Sequence, residues 1–319
     1  MTIQNLHTHT VFGDGKNTAE EMVLGAIAAG CQSLGFSEHS PLPDGLDPEG
    51  WSMEAADIPA YRAEVLRLRE MYAGRLDIFL GLEQDMDSPA PAFPTDYLIG
   101  SVHSVWAEGG YLSVDNSSEK TEQAIREFFG GDPYAYAAAY YRRVAEVAEK
   151  TCCQIVGHFD LVTKFNEGGR LFDEADPRYL SAAREALDAL AGRDVIFEIN
   201  TGAMSRGYRS APYPSPALLD FLRDRGGRIC VTSDSHSAST ILHAFPQARE
   251  LAKSRGFREV WVLTKSGFCP EALSIGGKGA LRPVAGGLAL PMLVHRYWAM
   301  VPAARAYSRM PEAPAMVSI

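Results

Sequence analysis

The sequence predicts one parallel α/β barrel, and three observations carry that reading. Short apolar runs alternate with stretches of helical periodicity, six of the eight histidines stand at or just past the ends of those runs, and a single long polar insertion breaks the rhythm. A length of 319 residues would also suit two domains of about 150 residues each, yet α/β barrels of this size form one unit.

The apolar runs are Ile3–His7, Ser33–Ser37, Leu76–Leu82, Asp96–Val102, Gln154–His158, Val195–Asn200, Arg228–Ser233 and Glu259–Leu263, each the length of a buried strand. The first helix is expected over Thr18–Ala29, where Thr18 and Glu21 have capping-box spacing and Met22 and Ile27 share a face. Ala55–Tyr72, Tyr134–Ala148, Pro177–Leu190, Pro216–Arg225 and Ile241–Ser254 repeat apolar residues near the helical period. About seven strand–helix units in a row point to parallel βαβ pairing closed into a barrel. Residues 104–132, polar and Gly-rich, read as a long insertion at the face where barrels place functional loops. The barrel is assigned residues 1–270. Residues 271–319 contain Gly276-Gly277, Gly286-Gly287 and apolar patches such as Leu288–Val294 but no capped helix, and are expected to form a peripheral or disordered tail.

Thirty basic against forty acidic residues give a net charge of −10, which argues against nucleic acid as a partner. The balance of 46% hydrophobic and 22% charged residues excludes a disordered chain. No apolar run approaches the roughly 18 residues of a membrane span, and Met1–Thr10 lacks the build of a signal peptide. The five cysteines form no C-x-x-C pair, and Cys31 and Cys230 lie in apolar runs, as expected of buried thiols in a reducing cytoplasm.

His7, His9, His39, His103, His158 and His236 fall at strand ends together with Asp14, Glu38, Glu83, Asp85, Asp160 and Asp234. The C-terminal mouth of a barrel gathers such residues into one pocket. His7 and His9, two apart on an extended strand, share a face, and Asp234 and His236 repeat that geometry. His7 and His9 alone are a weak signal and read more readily as solvated or capping histidines; the whole set reads as a metal centre. A mixed His/carboxylate set without cysteine suits divalent ions, Zn²⁺ first, with Mn²⁺ or Fe²⁺ as alternatives, rather than a structural zinc knot. No G-x-S-x-G elbow offers a protein nucleophile.

The runs His7-Thr8-His9-Thr10, Gly35-Phe36-Ser37-Glu38-His39-Ser40-Pro41, Gly81-Leu82-Glu83, Gly100-Ser101-Val102-His103, Gly157-His158-Phe159-Asp160-Leu161 and Ser233-Asp234-Ser235-His236 resemble the motifs of the polymerase-and-histidinol-phosphatase (PHP) superfamily, most closely its monofunctional histidinol-phosphate phosphatases. The resemblance covers about residues 3–265 and implies a distorted seven-stranded (β/α) barrel of the PHP type. It implies His7, His9, Glu83 and Asp234 around one ion, and Glu83, His103 and His158 around a second, so that Glu83 bridges. Asp14, His39 and His236 would hold a third. Glu83, Asp234 and His236 are then the residues on which catalysis rests, since a bridged ion pair activates water at neutral pH and clamps an in-line displacement at phosphorus.

Lys164 and Arg206, past the fifth and sixth strands, match positions where these phosphatases carry a basic residue for the phosphate, although Lys164 stands where arginine is common and would act as a point charge. Arg209 is a nearby substitute, and Asp85 and Asp160 would offer carboxylates to a cationic substrate. Glu38 is expected to orient His39, the Trp51 loop to form a flexible rim, and His243 and His295 to be structural or solvated. The resulting expectation is a cytoplasmic, metal-dependent phosphomonoesterase acting on a small molecule, L-histidinol phosphate in histidine biosynthesis, with neither nucleic acid nor membrane as partner and the oligomeric state open. The alternatives are a PHP phosphoesterase for another small phosphate or a nucleic acid end, and a barrel whose ions are structural.

Overall fold

In the computed structural model, which describes residues 2–108 and 110–273, parallel strands and outer helices alternate from the N-terminus onward. Strand β1 (Gln4–Asn5) leads to helix α1 (Ala19–Ala29), strand β2 (Ser33–Phe36) to α2 (Ile58–Met71), and β3 (Asp77–Asp85) runs directly to β4 (Tyr97–Ser101). The predicted capping box opens α1: the Thr18 hydroxyl accepts from Glu21 N–H and Glu21 returns the bond to Thr18 N–H.

The expected polar insertion carries structure of its own. A hairpin of β5 (Ser104–Ala107) and β6 (Gly110–Ser113) is followed by helix α3 (Ser118–Phe128), capped by Ser117. Its few apolar residues, such as Val105, Ala124 and Ile125, are buried against the barrel, too sparsely spaced to stand out in a polar sequence. The next predicted helix divides into α4 (Pro133–Val144) and α5 (Val147–Thr151) before β7 (Ile155–Val156). Helix α6 (Pro177–Ala191), β8 (Ile196–Asn200), the short α7 (Gly202–Ser205), α8 (Pro216–Asp224) and β9 (Arg228–Thr232) follow. Helix α9 (Phe245–Ser254) begins four residues later than its periodicity suggests, because Ala244 adopts a left-handed φ of 54° and Pro246 occupies the first turn.

The sheet order is β1-β2-β3-β4-β7-β8-β9, all parallel. The first and last strands meet at the mouth, where Thr8 bridges Ser235 and His9 N–H donates to Ser235 O at 2.9 Å. Seven parallel strands thus nearly close into a barrel. The eighth apolar run is no barrel strand: β10 (Glu259–Thr264) pairs antiparallel with β11 (Gly267–Ala272). Gln4 bonds both the N–H and C=O of Leu263 at 2.8 Å, and Leu263 joins Leu6, Phe79, Ile99, Ile155 and Ile196 inside the barrel, away from the mouth. The expected boundary at residue 270 falls within β11. Further expectations for the tail, including His295 and Leu288–Val294, lie outside the described residues.

Candidate metal centre and active site

The C-terminal strand ends surround a cavity of about 930 Å³. Glu83, buried on β3, lies against His39, His103 and His158 of the cavity wall. Its Oε2 is 3.1 Å from His7 Nε2, 3.4 Å from His9 Nε2 and 2.9 Å from His39 Nδ1. Its Oε1 is 3.2 Å from His103 Nε2 and 2.9 Å from His158 Nε2. Two oxygens of one carboxylate therefore face two groups of imidazoles. Asp234 Oδ1 lies 3.3 Å from His9 Nε2 and 3.7 Å from His7 Nε2, while Asp14 Oδ1 lies 3.1 Å from His236 Nε2 and 3.7 Å from His39 Nε2.

Among the described residues, three groups bring their donor atoms within 4.8 Å of one another: His7, His9 and Asp234; His39, Glu83 and His103; and His9, Asp14, His39 and His236. His9 and His39 each belong to two groups, whereas the family resemblance assigns each to one. Their rings stack at 4.2 Å, which places them between the groups.

Several of these atoms are buried without a hydrogen-bond partner: His7 Nε2, both nitrogens of His9, His39 Nδ1 and Glu83 Oε2. Unmet polar atoms in a dry setting cost several kcal/mol unless something compensates them. A divalent cation accepts these lone pairs and charges together, so the residues fit a metal centre. The electrostatics agree. Burial opposes the charge on Glu83, but His7, His39 and His103 hold its carboxyl well below the ordinary range. Burial, with His39 and His236 beside it, pushes His9 down to about 3, leaving a neutral imidazole with a free lone pair. Burial likewise pushes Glu38 up to about 8; its Oε2 stands 3.9 Å from His9 Nδ1, so it faces His9 as well as adjoining His39.

Backbone geometry supports the arrangement. Asp234 has a positive φ of 46°, an uncommon conformation that aims its carboxylate at His7 and His9. A Cβ on Gly202 would come within 2.8 Å of Asp234 Cβ, so this close approach requires glycine.

Lys164 and Arg206 line the cavity. Lys164 Nζ donates to Asp115 O at 2.8 Å and stands 4.9 Å above the Tyr208 ring. Arg206 pairs with Asp234 Oδ2 at 3.0 Å and donates to Asp234 O at 3.1 Å. The other two basic or acidic candidates are not brought to the cavity. Arg209 is bound by Glu174 at 2.8 Å and by Thr163 O at 3.0 Å, while Asp160 is fully buried and accepts from Ser215 N–H at 2.9 Å. Both brace the loops beneath. Asp85, expected to face a substrate cation, instead accepts from His103 Nδ1 at 2.8 Å. Trp51 packs its ring edge-on to His39 at 4.6 Å and so forms part of the wall.

Sequence reasoning missed Glu198 and Asp115. Glu198 is fully buried on β8 and bonds His7; an acid inside the apolar run Val195–Ile199 was its available signal. Asp115 lines the cavity from the insertion, where nothing in the sequence sets it apart from other loop acids.

Barrel and site together define an α/β barrel with a candidate centre for divalent metal, its residues drawn from separate strand ends. Residues 5–202 match the model of the PHP domain, and the chain belongs to that family. A protein of Deinococcus radiodurans named "Probable histidinol-phosphatase" is 32% identical over 263 residues, covering 80% of this chain and 94% of that protein. A solved structure of a candidate histidinol phosphatase from Listeria monocytogenes superposes with a TM-score of 0.67 at 23% identity, over 76% of this chain and 99% of that one. The histidinol phosphate phosphatase of Lactococcus lactis, solved with zinc, L-histidinol and phosphate, gives 0.58 at 22% identity, over 84% of this chain and 99% of that one. These two structures share the fold. Among the described residues no helix is long and apolar enough to cross a membrane.

Proposed function

We propose that this enzyme hydrolyses L-histidinol phosphate to L-histidinol and phosphate, a step of histidine biosynthesis. The observation that carries the reading is one cavity whose wall joins the His/carboxylate cluster, through Asp14, His39, His103, His158, Asp234 and His236, to basic residues that include Lys164 and Arg206. The proposed ligand sets are His7, His9, Glu83 and Asp234; Glu83, His103 and His158; and Asp14, His39 and His236. Divalent ions held there supply an activated water and counter-charge for the phosphate oxygens.

Arg206 binds a non-bridging oxygen while its contact with Asp234 keeps the guanidinium facing the ligand set. Lys164 contributes a point charge from the neighbouring loop, past β7. Asp234 and His236, as ligands, are not free proton donors. The relatives' names supply the substrate, and its cationic amine and imidazole suit a cavity whose wall includes Glu49, Asp115 and Glu127.

The test compares kcat/KM for histidinol phosphate with that for sugar phosphates, nucleotides and p-nitrophenyl phosphate. A preference of roughly a hundred-fold, about 2.7 kcal/mol in transition-state binding, is expected. Equal or better turnover of a nucleotide would move the enzyme to another phosphate ester.

A further inference from the structure

Glu198 is the best-satisfied carboxylate of the site's surroundings, and it touches two of the proposed ligand sets at once. Its Oε2 lies 2.9 Å from His7 Nδ1 and 2.8 Å from Thr232 Oγ1. Its Oε1 accepts from the backbone N–H of His158 at 2.6 Å and from Asn200 Nδ2 at 2.8 Å. An ionised carboxylate has about four lone-pair positions, all acceptors. Here four donors fill them. Four donors shared between two oxygens are the surroundings of a carboxylate rather than of a carboxylic acid.

An acceptor-only partner leaves His7 one role at Nδ1, that of donor. The proton therefore sits on Nδ1, and Nε2, 3.1 Å from Glu83 Oε2 and without a hydrogen-bond partner, keeps its lone pair for the cluster. The same carboxylate anchors the main chain of His158, whose Nε2 faces Glu83 Oε1 at 2.9 Å. Asp85 performs the first of these tasks for His103 but reaches no ligand of the other set.

We infer that Glu198 is a positioning residue that sets the His7 tautomer and ties the geometry of the first ion site to that of the second. The inference rests on the metal-centre reading above. Glu198→Gln would turn an amide nitrogen, itself a donor, toward two of the four donors, so the ring of His7 and the His158 backbone could no longer both be held.

The experiment loads wild type, E198Q and D85N with Zn²⁺ and titrates each against a chelator, counting ions by elemental analysis and recording the thermal unfolding of the metal-free forms. Removing such a partner typically costs 10- to 100-fold in metal affinity. E198Q should weaken two ions by that amount, and D85N one. A metal-free E198Q that melts lower yet binds both ions as wild type does would reduce Glu198 to a structural residue and overturn the inference. Wild type that binds no ion would instead overturn the metal-centre reading itself. Should E198Q fail to fold, ¹⁵N spectra of imidazole-labelled, zinc-loaded wild type decide: His7 protonated on Nδ1 supports the inference, and protonation on Nε2 ends it.

Discussion

Arg206 and Asp160 illustrate how environment separates residues that look equivalent as loop charges. Arg206 lines the cavity beside Asp234, so Arg206→Ala removes a charge-assisted contact to phosphate worth about 1.5 to 3 kcal/mol, or roughly ten- to hundred-fold in kcat/KM. Steady-state kinetics with parallel metal analysis checks this: retained metal with reduced kcat/KM fits the phosphate role, whereas lost metal would place Arg206 in support of Asp234. Asp160 is sealed away, and burial lifts its carboxyl from 3.8 to about 7. Between about pH 4 and 7 the unfolded chain has released this proton while the folded chain keeps it. Stability contributed by Asp160 therefore falls as pH rises through that window and levels off above it. Asp160→Asn keeps an acceptor for Ser215 N–H and removes the charge. Urea unfolding at pH 5 and pH 8 should show a smaller loss in the variant than in wild type, whose stability falls by up to about 1.4 kcal/mol for each pH step of one within the window. Equal losses would show that Asp160 ionises without penalty.

At the scale of elements, the barrel interior depends on one aromatic ring and the glycines that admit it. Tyr97, at the start of β4, lies across the inside of the barrel, where its hydroxyl donates to Leu6 O just past β1 and stands 3.2 Å from Phe36 O on β2. A Cβ on Gly81 would lie 2.5 Å from the Tyr97 ring. Gly81→Ala should therefore overpack the interior and destabilise by about 1 to 3 kcal/mol, read as a lower denaturation midpoint at unchanged m-value. Because Glu83 is two residues along the same strand, metal affinity should fall with it; unchanged stability would mean that the ring moves aside freely. The strand ends that carry the candidate ligands were legible because β1, β2, β3, β4, β7 and β9 are short apolar runs with histidines or acids at or just past their ends. The insertion was not, since its hairpin and α3 bury few residues each and follow no sustained period.

For the molecule as a whole, the cluster at the mouth links metal binding to folding. His7, His9, Glu83 and Asp234 converge from β1, β3 and the end of β9, elements that are neighbours only after the barrel closes. Ions that bind this arrangement and not the unfolded chain stabilise it by mass action, about 4 kcal/mol at a thousand-fold excess over Kd. Exhaustive chelation should therefore abolish phosphatase activity and lower Tm by roughly 10 °C, with both restored by Zn²⁺ or Mn²⁺. Calorimetry before and after chelation checks it, and full activity in a preparation free of metal by elemental analysis would refute the dependence.

Sequence alone determined the composition of the site and the class of the fold. Alternation of strand and helix is written in local periodicity, and the histidines and acids at strand ends are written in order, so both can be read without knowing any distance. Tertiary structure decided which of those residues meet. Asp85 and Asp160 have the same chemistry and similar positions past strand ends, yet one orients His103 and the other braces a buried loop. Glu198 reads as a flaw in an apolar strand until closure turns it toward His7 and His158. The eighth apolar run likewise reads as a strand of the barrel, and only its pairing with β11 sends it beneath the others. Side-chain alternation along a strand states that neighbours face opposite ways; sheet register and barrel closure, set by contacts distant in sequence, choose which way is in.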